Sequence, residues 1–245
     1  MAKTIVITGA GVGLGRALAR RFAGEGETVI LLGRTLSKVQ SVAEELGEPH
    51  FAVECDVSSP DSVRAAFAAI AERHPRIDVL INNAAVYEPF MVADATDQQI
   101  LSIMNTNFAG PIFTSRAAIP MMDRGGAIIN VTSESVALEF PMLSLYASTK
   151  AGLERFTESL SRELEPAGIR VSTVRAGPMY EEGKTAPGWD PAAAMRFYEL
   201  CLKAGIDMRA RPISQVASVT GVFRALIDLP PDVRVTHASI EARHP

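Results

Sequence analysis

Tyr146 and Lys150 stand four positions apart in the stretch Tyr146-Ala147-Ser148-Thr149-Lys150. If this stretch is helical, the two side chains lie on one face, one turn apart. A cation held beside a tyrosine favours the phenolate, so the phenol can exchange a proton nearer neutral pH than its usual pKa of about 10. The pair is therefore a candidate for general acid–base chemistry. The same spacing also occurs by chance on solvated helix faces, so the elements that position the pair must decide between the two interpretations.

The composition of the 245-residue chain is that of an ordinary globular protein, with 47% hydrophobic and 21% charged residues. This length suits one large α/β domain, so we predict a single domain over residues 1–245. The net charge of −4 gives no general attraction for nucleic acid or anionic lipid. We therefore expect a small-molecule substrate, with no nucleic-acid or membrane partner.

The cysteine content indicates a reducing compartment. Cys55 and Cys201 are too few for a disulfide framework and have no metal-type spacing. The four histidines are scattered and join no cysteine or carboxylate cluster. The N-terminal apolar run is too short for a signal peptide or a membrane span. These observations predict a cytoplasmic protein without a metal site.

A glycine-rich turn follows the first predicted strand, residues 4–7, and precedes an apolar stripe of helical period. Free N–H groups at the start of a helix bind phosphate, and small residues allow a close approach of the backbone. Because a strand lies before the turn and a helix after it, the pattern predicts a pyrophosphate site rather than a simple loop. The candidate residues are Gly9, Gly11, Val12, Gly13, Leu14 and Gly15.

The second predicted strand, residues 28–32, is followed by Gly33-Arg34. In dinucleotide-binding folds the end of this strand faces the adenosine ribose, where an acid bonds the 2′-hydroxyl of NAD and an arginine pairs with the 2′-phosphate of NADP. This chain has no acid there and does have Arg34. We therefore predict NADP(H) rather than NAD(H). The alternative is a surface arginine with no ligand.

Further strands are predicted at 50–55, 79–81, 127–131 and 171–174, with helical segments between them, and a strand-like stretch follows at 233–240. This alternation predicts a doubly wound α/β fold, in which ligands bind outside the carboxyl ends of the strands. Asn105-Thr106-Asn107 interrupts an otherwise apolar helical course. We interpret it as a kink that serves either packing or function.

Taken together, the motifs resemble those of the short-chain dehydrogenase/reductase family over about residues 3–178. The matching features are Thr8-Gly9-x-x-x-Gly13-x-Gly15, Asp56, Asn82-Asn83-Ala84, Asn107, Ser133 and Tyr146-x-x-x-Lys150. Ser133 precedes Tyr146 by 13 positions, the usual separation in the family. The resemblance implies a mostly parallel, seven-stranded Rossmann-type sheet with helices on both faces.

The resemblance also implies roles for particular residues. Tyr146 is expected to be the general acid or base, with its pKa lowered by Lys150, which also bonds the nicotinamide ribose. Ser133 is expected to hold the substrate oxygen, and Asn107 to anchor a water that connects Lys150 to solvent. The implied cofactor contacts beyond the glycine-rich turn are Arg34, Asp56, Val57, Asn83, Ala84, Tyr146, Lys150 and Gly177.

Residues 179–210 are expected to form a lid over the substrate, interrupted by Pro187, Gly188 and Pro191. The apolar residues after this interruption either pack on their own core or line a pocket for a hydrophobic carbonyl or alcohol. Glu181 stands where a threonine often contacts the cofactor in the family, and Glu181-Glu182 is interpreted as a solvated pair.

The resemblance further implies a homotetramer or a homodimer built on the helices around 109–122 and 145–164. Two alternatives to an NADP(H)-dependent oxidoreductase remain open. One is an NAD(H)-dependent alcohol dehydrogenase of the same family. The other is a non-catalytic dinucleotide sensor on the same fold.

Overall fold

The structure, a computed structural model, describes residues 2–181 and 188–244. Strands and helices alternate along most of the chain. The strands are β1 (Thr4–Thr8), β2 (Thr28–Gly33), β3 (Phe51–Glu54), β4 (Val79–Asn82), β5 (Ala127–Ser133), β6 (Arg170–Ala176), β7 (Met179–Tyr180), β8 (Ser214–Gln215) and β9 (His237–Ile240). The α-helices are α1 (Gly13–Gly24), α2 (Leu36–Leu46), α3 (Pro60–Arg73), α4 (Asp97–Met104), α5 (Gly110–Ala118), α6 (Ser144–Glu163), α7 (Pro191–Lys203) and α8 (Val216–Ile227).

Seven strands form one sheet in the order β3-β2-β1-β4-β5-β6-β9, and every neighbouring pair is parallel. The chain reverses its direction of winding between β1 and β4, which creates a crevice at the carboxyl ends of these strands. The predicted doubly wound seven-stranded sheet is therefore confirmed, and it is entirely parallel rather than mostly so.

Helices cover both faces of the sheet, so the strands are buried on both sides and read as continuous apolar runs. On one face, Ile5 and Ile7 of β1 pack with Phe22 of α1 and Phe223 of α8. On the other face, the intervening Val6 packs with residues of α3, α6 and neighbouring strands. This two-sided burial fixes the strand ends at which the site is built.

Two local features differ from a simple alternation of strands and helices. Helix α8 begins at Val216, because the two preceding residues, Ser214 and Gln215, pair with β7 in a small two-stranded ribbon. The predicted interruption near Asn107 is a π-helical turn, Asn105–Ala109, between α4 and α5. Such turns are rare and are often found at functional sites.

Candidate active site

Helix α6 carries the acid–base candidates at its amino-terminal end. Lys150 is 2% exposed, and its Nζ donates a hydrogen bond to the carbonyl oxygen of Val131 at 2.9 Å. The same Nζ lies 5.9 Å from the centroid of the Tyr146 ring, so the two side chains share one face of the helix as predicted. Burial disfavours the charged ammonium and lowers the pKa of Lys150 to about 8.

The phenol of Tyr146 faces the crevice at the end of β5. Burial raises the pKa of Tyr146 to about 12, a hydrogen bond from the Ser133 hydroxyl opposes this rise, and Tyr87 and Glu134 add to it. The lowering of the Tyr146 pKa that was expected from Lys150 is thus not seen in this structure. Burial of the phenol raises its pKa, and burial of the Lys150 amine disfavours the positive charge that would lower it.

Ser133 is the last residue of β5, and its Oγ accepts a hydrogen bond from the backbone N–H of Ser135 at 3.2 Å. This contact begins a short 3₁₀ turn, Glu134–Val136, and holds the Ser133 hydroxyl at the strand end. The strand end and the start of α6 therefore bring Ser133 and Tyr146 together, although they are 13 positions apart in sequence.

Asn107 is fully buried in the π-helical turn. Its Oδ1 accepts from the N–H of Val86 at 2.8 Å, and its Nδ2 donates to the carbonyl oxygen of Val86 at 2.7 Å. The amide thus ties the π-helical turn to the segment that follows β4, and both of its polar atoms have partners. The predicted link from Asn107 to Lys150 through a water stays a prediction.

The glycine-rich turn is packed against the end of β4. Asn83 Nδ2 donates to the carbonyl oxygens of Thr8 at 3.0 Å and Gly9 at 3.3 Å. A Cβ added at Gly15 would lie 2.3 Å from the Gly9 carbonyl oxygen, and one at Gly9 would lie 2.9 Å from Ala84 Cα. Both distances are shorter than real contacts, so only glycine fits at these positions.

A cleft of about 370 Å³ opens above this turn and extends to Tyr146. This volume lies within the usual range for small-molecule sites. The predicted site residues that line it are Gly9, Gly11, Val12, Gly13, Leu14, Arg34, Asp56, Val57, Asn83, Ala84 and Tyr146. The cleft therefore joins the predicted phosphate turn to the predicted acid–base residue.

Three of the predicted cofactor contacts, Gly15, Lys150 and Gly177, lie outside the lining of the cleft. Gly15 is buried beneath the turn, where it permits the close packing just described. Gly177 donates its N–H to the carbonyl oxygen of Ile240 at 2.9 Å, and a Cβ at this position would lie 2.9 Å from the same oxygen. The absence of a side chain at Gly177 thus permits the close approach of the end of β9.

Basic residues stand at one end of the cleft. Arg34 and Lys38 are both exposed there, and within residues 2–181 and 188–244 neither forms an ion pair. Lys38 was missed by the sequence interpretation, although its position four residues after Arg34 was a usable signal. Two unpaired cations at this end form a site that suits a phosphate.

Asp56 both caps a turn and lines the cleft. Its Oδ1 accepts from the backbone N–H of Ser58 at 3.0 Å and from the Ser58 hydroxyl at 2.7 Å, so it caps the turn before α3. The same residue lines the cleft. Its cap therefore fixes the carboxylate and the adjoining backbone at the wall of the cleft.

Glu181 is buried rather than solvated, which corrects the sequence interpretation. Its Oε2 accepts from the backbone N–H of Gly13 at 2.7 Å. Its Oε1 accepts from Arg16, at 2.8 Å from Nε and 2.7 Å from Nη2. The carboxylate is drawn out of water by an arginine and by the positive end of α1. Glu182 and Pro187 lie outside the described residues.

Helix α7 packs on its own core. Phe197 and Cys201 are buried against a cluster formed by Phe140, Met142 and Leu143. The opposite side of α7 is exposed, with Met195, Tyr198 and Leu202 at 65%, 51% and 62%. Of the two interpretations of these apolar residues, packing of the lid helix on its own core thus describes this structure.

Aromatic side chains cover Tyr146 on the side of α7. The ring of Tyr87 lies 5.7 Å from that of Tyr146 and 5.1 Å from that of Trp189, with the latter pair edge to face. Trp189 Nε1 donates to the carbonyl oxygen of Tyr87 at 3.1 Å. The sequence interpretation missed both residues, because each is isolated in sequence from the motifs that it contacts.

In the part of the chain that the structure describes, no three histidine, cysteine or carboxylate side chains converge as metal ligands would. Within the same residues, no helix has the length and apolar character needed to cross a bilayer.

Comparison with known proteins places this geometry in a family. The sequence profile of the family described as short chain dehydrogenase matches residues 3–186. The chain belongs to the short-chain dehydrogenase/reductase family. This family comprises NAD(P)-dependent oxidoreductases.

Relatives and solved structures agree with this assignment. An uncharacterized short-chain type dehydrogenase/reductase of Sinorhizobium fredii is 37% identical over 227 residues, which cover 90% of this chain and 41% of that protein. Carbonyl reductase family member 4 of Danio rerio is 34% identical over 72% of this chain and 76% of its own length. A short chain dehydrogenase of Burkholderia cenocepacia in complex with NADP superposes with a TM-score of 0.81 at 27% identity, covering 98% of this chain and 96% of that chain.

Proposed function

We propose that this protein transfers a hydride between NADP(H) and a carbonyl compound or secondary alcohol. The observation that carries the proposal is the position of Tyr146. It lies beside the Ser133 hydroxyl, shares a helix face with buried Lys150, and lines the same cleft as the glycine-rich turn. A solvated Tyr-x-x-x-Lys pair would have none of these neighbours.

The residues of the cleft fit a dinucleotide. Gly9, Gly13 and Asn83 line the cleft at the turn that leads into α1, and the N–H groups at the start of a helix bind phosphate. Arg34 and Lys38, which line the same cleft, supply positive charge there. When bound, the nicotinamide supplies or accepts the hydride, and the protein orients and polarises the reacting groups.

In the proposed reduction, Tyr146 donates its phenolic proton to the carbonyl oxygen of the substrate. Ser133 donates a hydrogen bond to the same oxygen and so stabilises the negative charge that develops there. Lys150 holds positive charge behind the phenol, and Asn107 is proposed to hold the water through which Lys150 recovers a proton. The Tyr146 phenol, whose pKa burial raises to about 12, is protonated at neutral pH and therefore holds the proton that the reduction requires.

The preference for NADP(H) rests on Arg34 and receives support from Lys38 beside it. We expect Arg34→Ala to weaken NADPH binding about 10- to 100-fold, because a charge-assisted contact to the 2′-phosphate is worth about 1.5–3 kcal/mol. NADH affinity should change less than about threefold. Fluorescence titration of both cofactors measures the difference, with the exposed arginine variant Arg64→Ala as a matched control. An equal loss of both affinities would overturn the NADP(H) assignment.

We propose a hydrophobic small molecule as the substrate. The ring of Tyr87 lies against Tyr146, and Trp189 packs on Tyr87. Phe140 packs with Phe197 and Cys201 of α7. These side chains give the region around Tyr146 an apolar surface. We further propose that residues 1–245 are one dinucleotide-binding and catalytic domain whose lid spans about 179–210. The free thiols of Cys55 and Cys201, both buried, are compatible with the cytoplasmic location inferred from the sequence.

Assembly into a homotetramer or homodimer is a proposal from the family resemblance. Among the described residues, the large exposed apolar side chains of the helices lie on α2, α4 and α7, and include Leu101, Met104 and Tyr198. None lies on α5 or α6, where the sequence interpretation placed the interface. Light scattering of the purified chain determines the assembly, and a monomer would remove this proposal.

The activity itself is tested by a screen of ketones and aldehydes that follows NADPH consumption. Consumption with one class of carbonyl supports the proposal and identifies the substrate class. Consumption of NADH alone favours the NAD(H)-dependent alternative. Tight NADPH binding without consumption across the panel favours the non-catalytic sensor.

A further inference from the structure

The carboxylate of Glu181 occupies a place at the glycine-rich turn where a phosphate is expected. Gly13 begins α1, and its N–H points to the Glu181 Oε2 at 2.7 Å. The N-cap residue, Val12, has no polar side chain, so α1 has no side-chain cap of its own. The Glu181 carboxylate therefore accepts a hydrogen bond that the first turn of α1 would otherwise donate to an anionic ligand.

Several features of the fold hold the Glu181 carboxylate at Gly13. Glu181 is 7% exposed, and Arg16 holds its second oxygen through two nitrogens at 2.7 and 2.8 Å. Glu181 directly follows β7, and β7 is paired with β8 in the ribbon Met179–Tyr180 with Ser214–Gln215. The ribbon thus delivers the carboxylate to α1 from 168 positions away in sequence.

We propose that Glu181 is an intramolecular competitor of the dinucleotide, and that its carboxylate must leave Gly13 before a pyrophosphate binds the turn. Two anions cannot share the same N–H group at short range without strong repulsion. The glycine-rich turn is then closed to dinucleotide until the free energy of the Glu181 contact is overcome. The protein therefore binds its cofactor more weakly than the glycine-rich turn would without the Glu181 carboxylate. This inference rests on dinucleotide binding in the proposed function.

The direct test compares NADPH affinity in the wild type and in Glu181→Gln. Glutamine keeps the size of the side chain and an oxygen acceptor for the Gly13 N–H, but it removes the charge that competes with phosphate and pairs with Arg16. We expect NADPH to bind about 5- to 30-fold more tightly to the variant, since an anion at a helix N-terminus is stabilised by up to about 2 kcal/mol. Glu181→Thr should change affinity in the same direction. Glu158→Gln, on the exposed side of α6, is the matched control and should leave the affinity unchanged.

Thermal unfolding separates competition from a purely structural role. If Glu181 competes, Glu181→Gln lowers the Tm of the cofactor-free protein, because the cap of α1 weakens, and it increases the rise in Tm that NADPH produces. If Glu181 only caps α1 and stays there with the cofactor bound, Glu181→Gln lowers the stability of the cofactor-free and the NADPH-bound protein equally. The affinity for NADPH then does not increase. That second outcome would overturn the proposal. Should the wild type bind NADH and not NADPH, the same comparison with NADH tests Glu181 after the NADP(H) assignment has failed.

Discussion

Replacing Tyr146 with phenylalanine is expected to lower kcat about 10²- to 10⁴-fold while NADPH binding changes less than about threefold. The substitution removes the only atom of the ring that can donate a proton to the substrate oxygen, and it leaves the ring packing against Tyr87 intact. Steady-state kinetics with a carbonyl from the screen measures the loss of kcat, and fluorescence titration measures the Kd for NADPH.

A second tyrosine provides the matched control. Tyr198 lies on the exposed side of α7, 51% accessible to solvent, and Tyr198→Phe makes the same chemical change away from the cleft. It should leave kcat near that of the wild type. If Tyr146→Phe also retained near-normal turnover, the acid–base role would be wrong, and the buried pair on α6 would be a structural feature only.

The parts of the site that sequence could predict are those encoded by short segments at strand ends. The glycine-rich turn, Asn83 and Ser133 each follow a recognisable apolar strand. In a parallel doubly wound sheet, the carboxyl ends of the central strands meet at one edge, so residues far apart in sequence were expected near one another. The structure confirms this fold and brings the glycine-rich turn and Asn83 to the cleft, with Ser133 at the end of β5.

The features that sequence could not predict depend on contacts across long separations. Glu181 reaches Gly13 over 168 positions, and Trp189 reaches Tyr87 over 102. No local pattern distinguishes Glu181 from a solvated glutamate, because the partners of its buried carboxylate, Gly13 and Arg16, are distant in sequence. Lys38 is a different case: it lies four positions after Arg34, in the first turn of α2, and both residues line the cleft.

For the acid–base pair, the sequence predicts that the two side chains are neighbours but does not predict their pKa values. The spacing of Tyr146 and Lys150 predicts that they are neighbours, which the structure confirms. Whether the amine lowers the pKa of the phenol depends on how much water surrounds them. Enclosure by Tyr87 and the α6 core raises the pKa of Tyr146 and lowers that of Lys150. The sequence alone contains no measure of that enclosure.

Replacement of Lys150 by methionine is expected to remove activity and yet to stabilise the cofactor-free protein at neutral pH. The shift of the Lys150 pKa from 10.5 to about 8 corresponds to a cost of about 3 kcal/mol for burying the charged amine. Methionine avoids this cost and loses the hydrogen bond to the Val131 carbonyl, worth about 1 kcal/mol. The free energy of unfolding at pH 7 should therefore rise by about 2 kcal/mol.

The sign of the pH dependence provides the sharper test. Because the folded-state pKa lies below the unfolded value, the unfolded chain binds more protons between about pH 8 and 10.5, and wild-type stability from this group rises with pH across that window. The advantage of Lys150→Met should thus be full below about pH 8 and shrink steadily above it. Urea unfolding at pH 7 and pH ~9.5 measures the difference. The exposed variant Lys203→Met should change stability by less than about 0.5 kcal/mol at both pH values. If Lys150→Met destabilised the protein equally at both pH values, the contacts around the charged amine would fully offset the cost of burying it, and the prediction would be wrong.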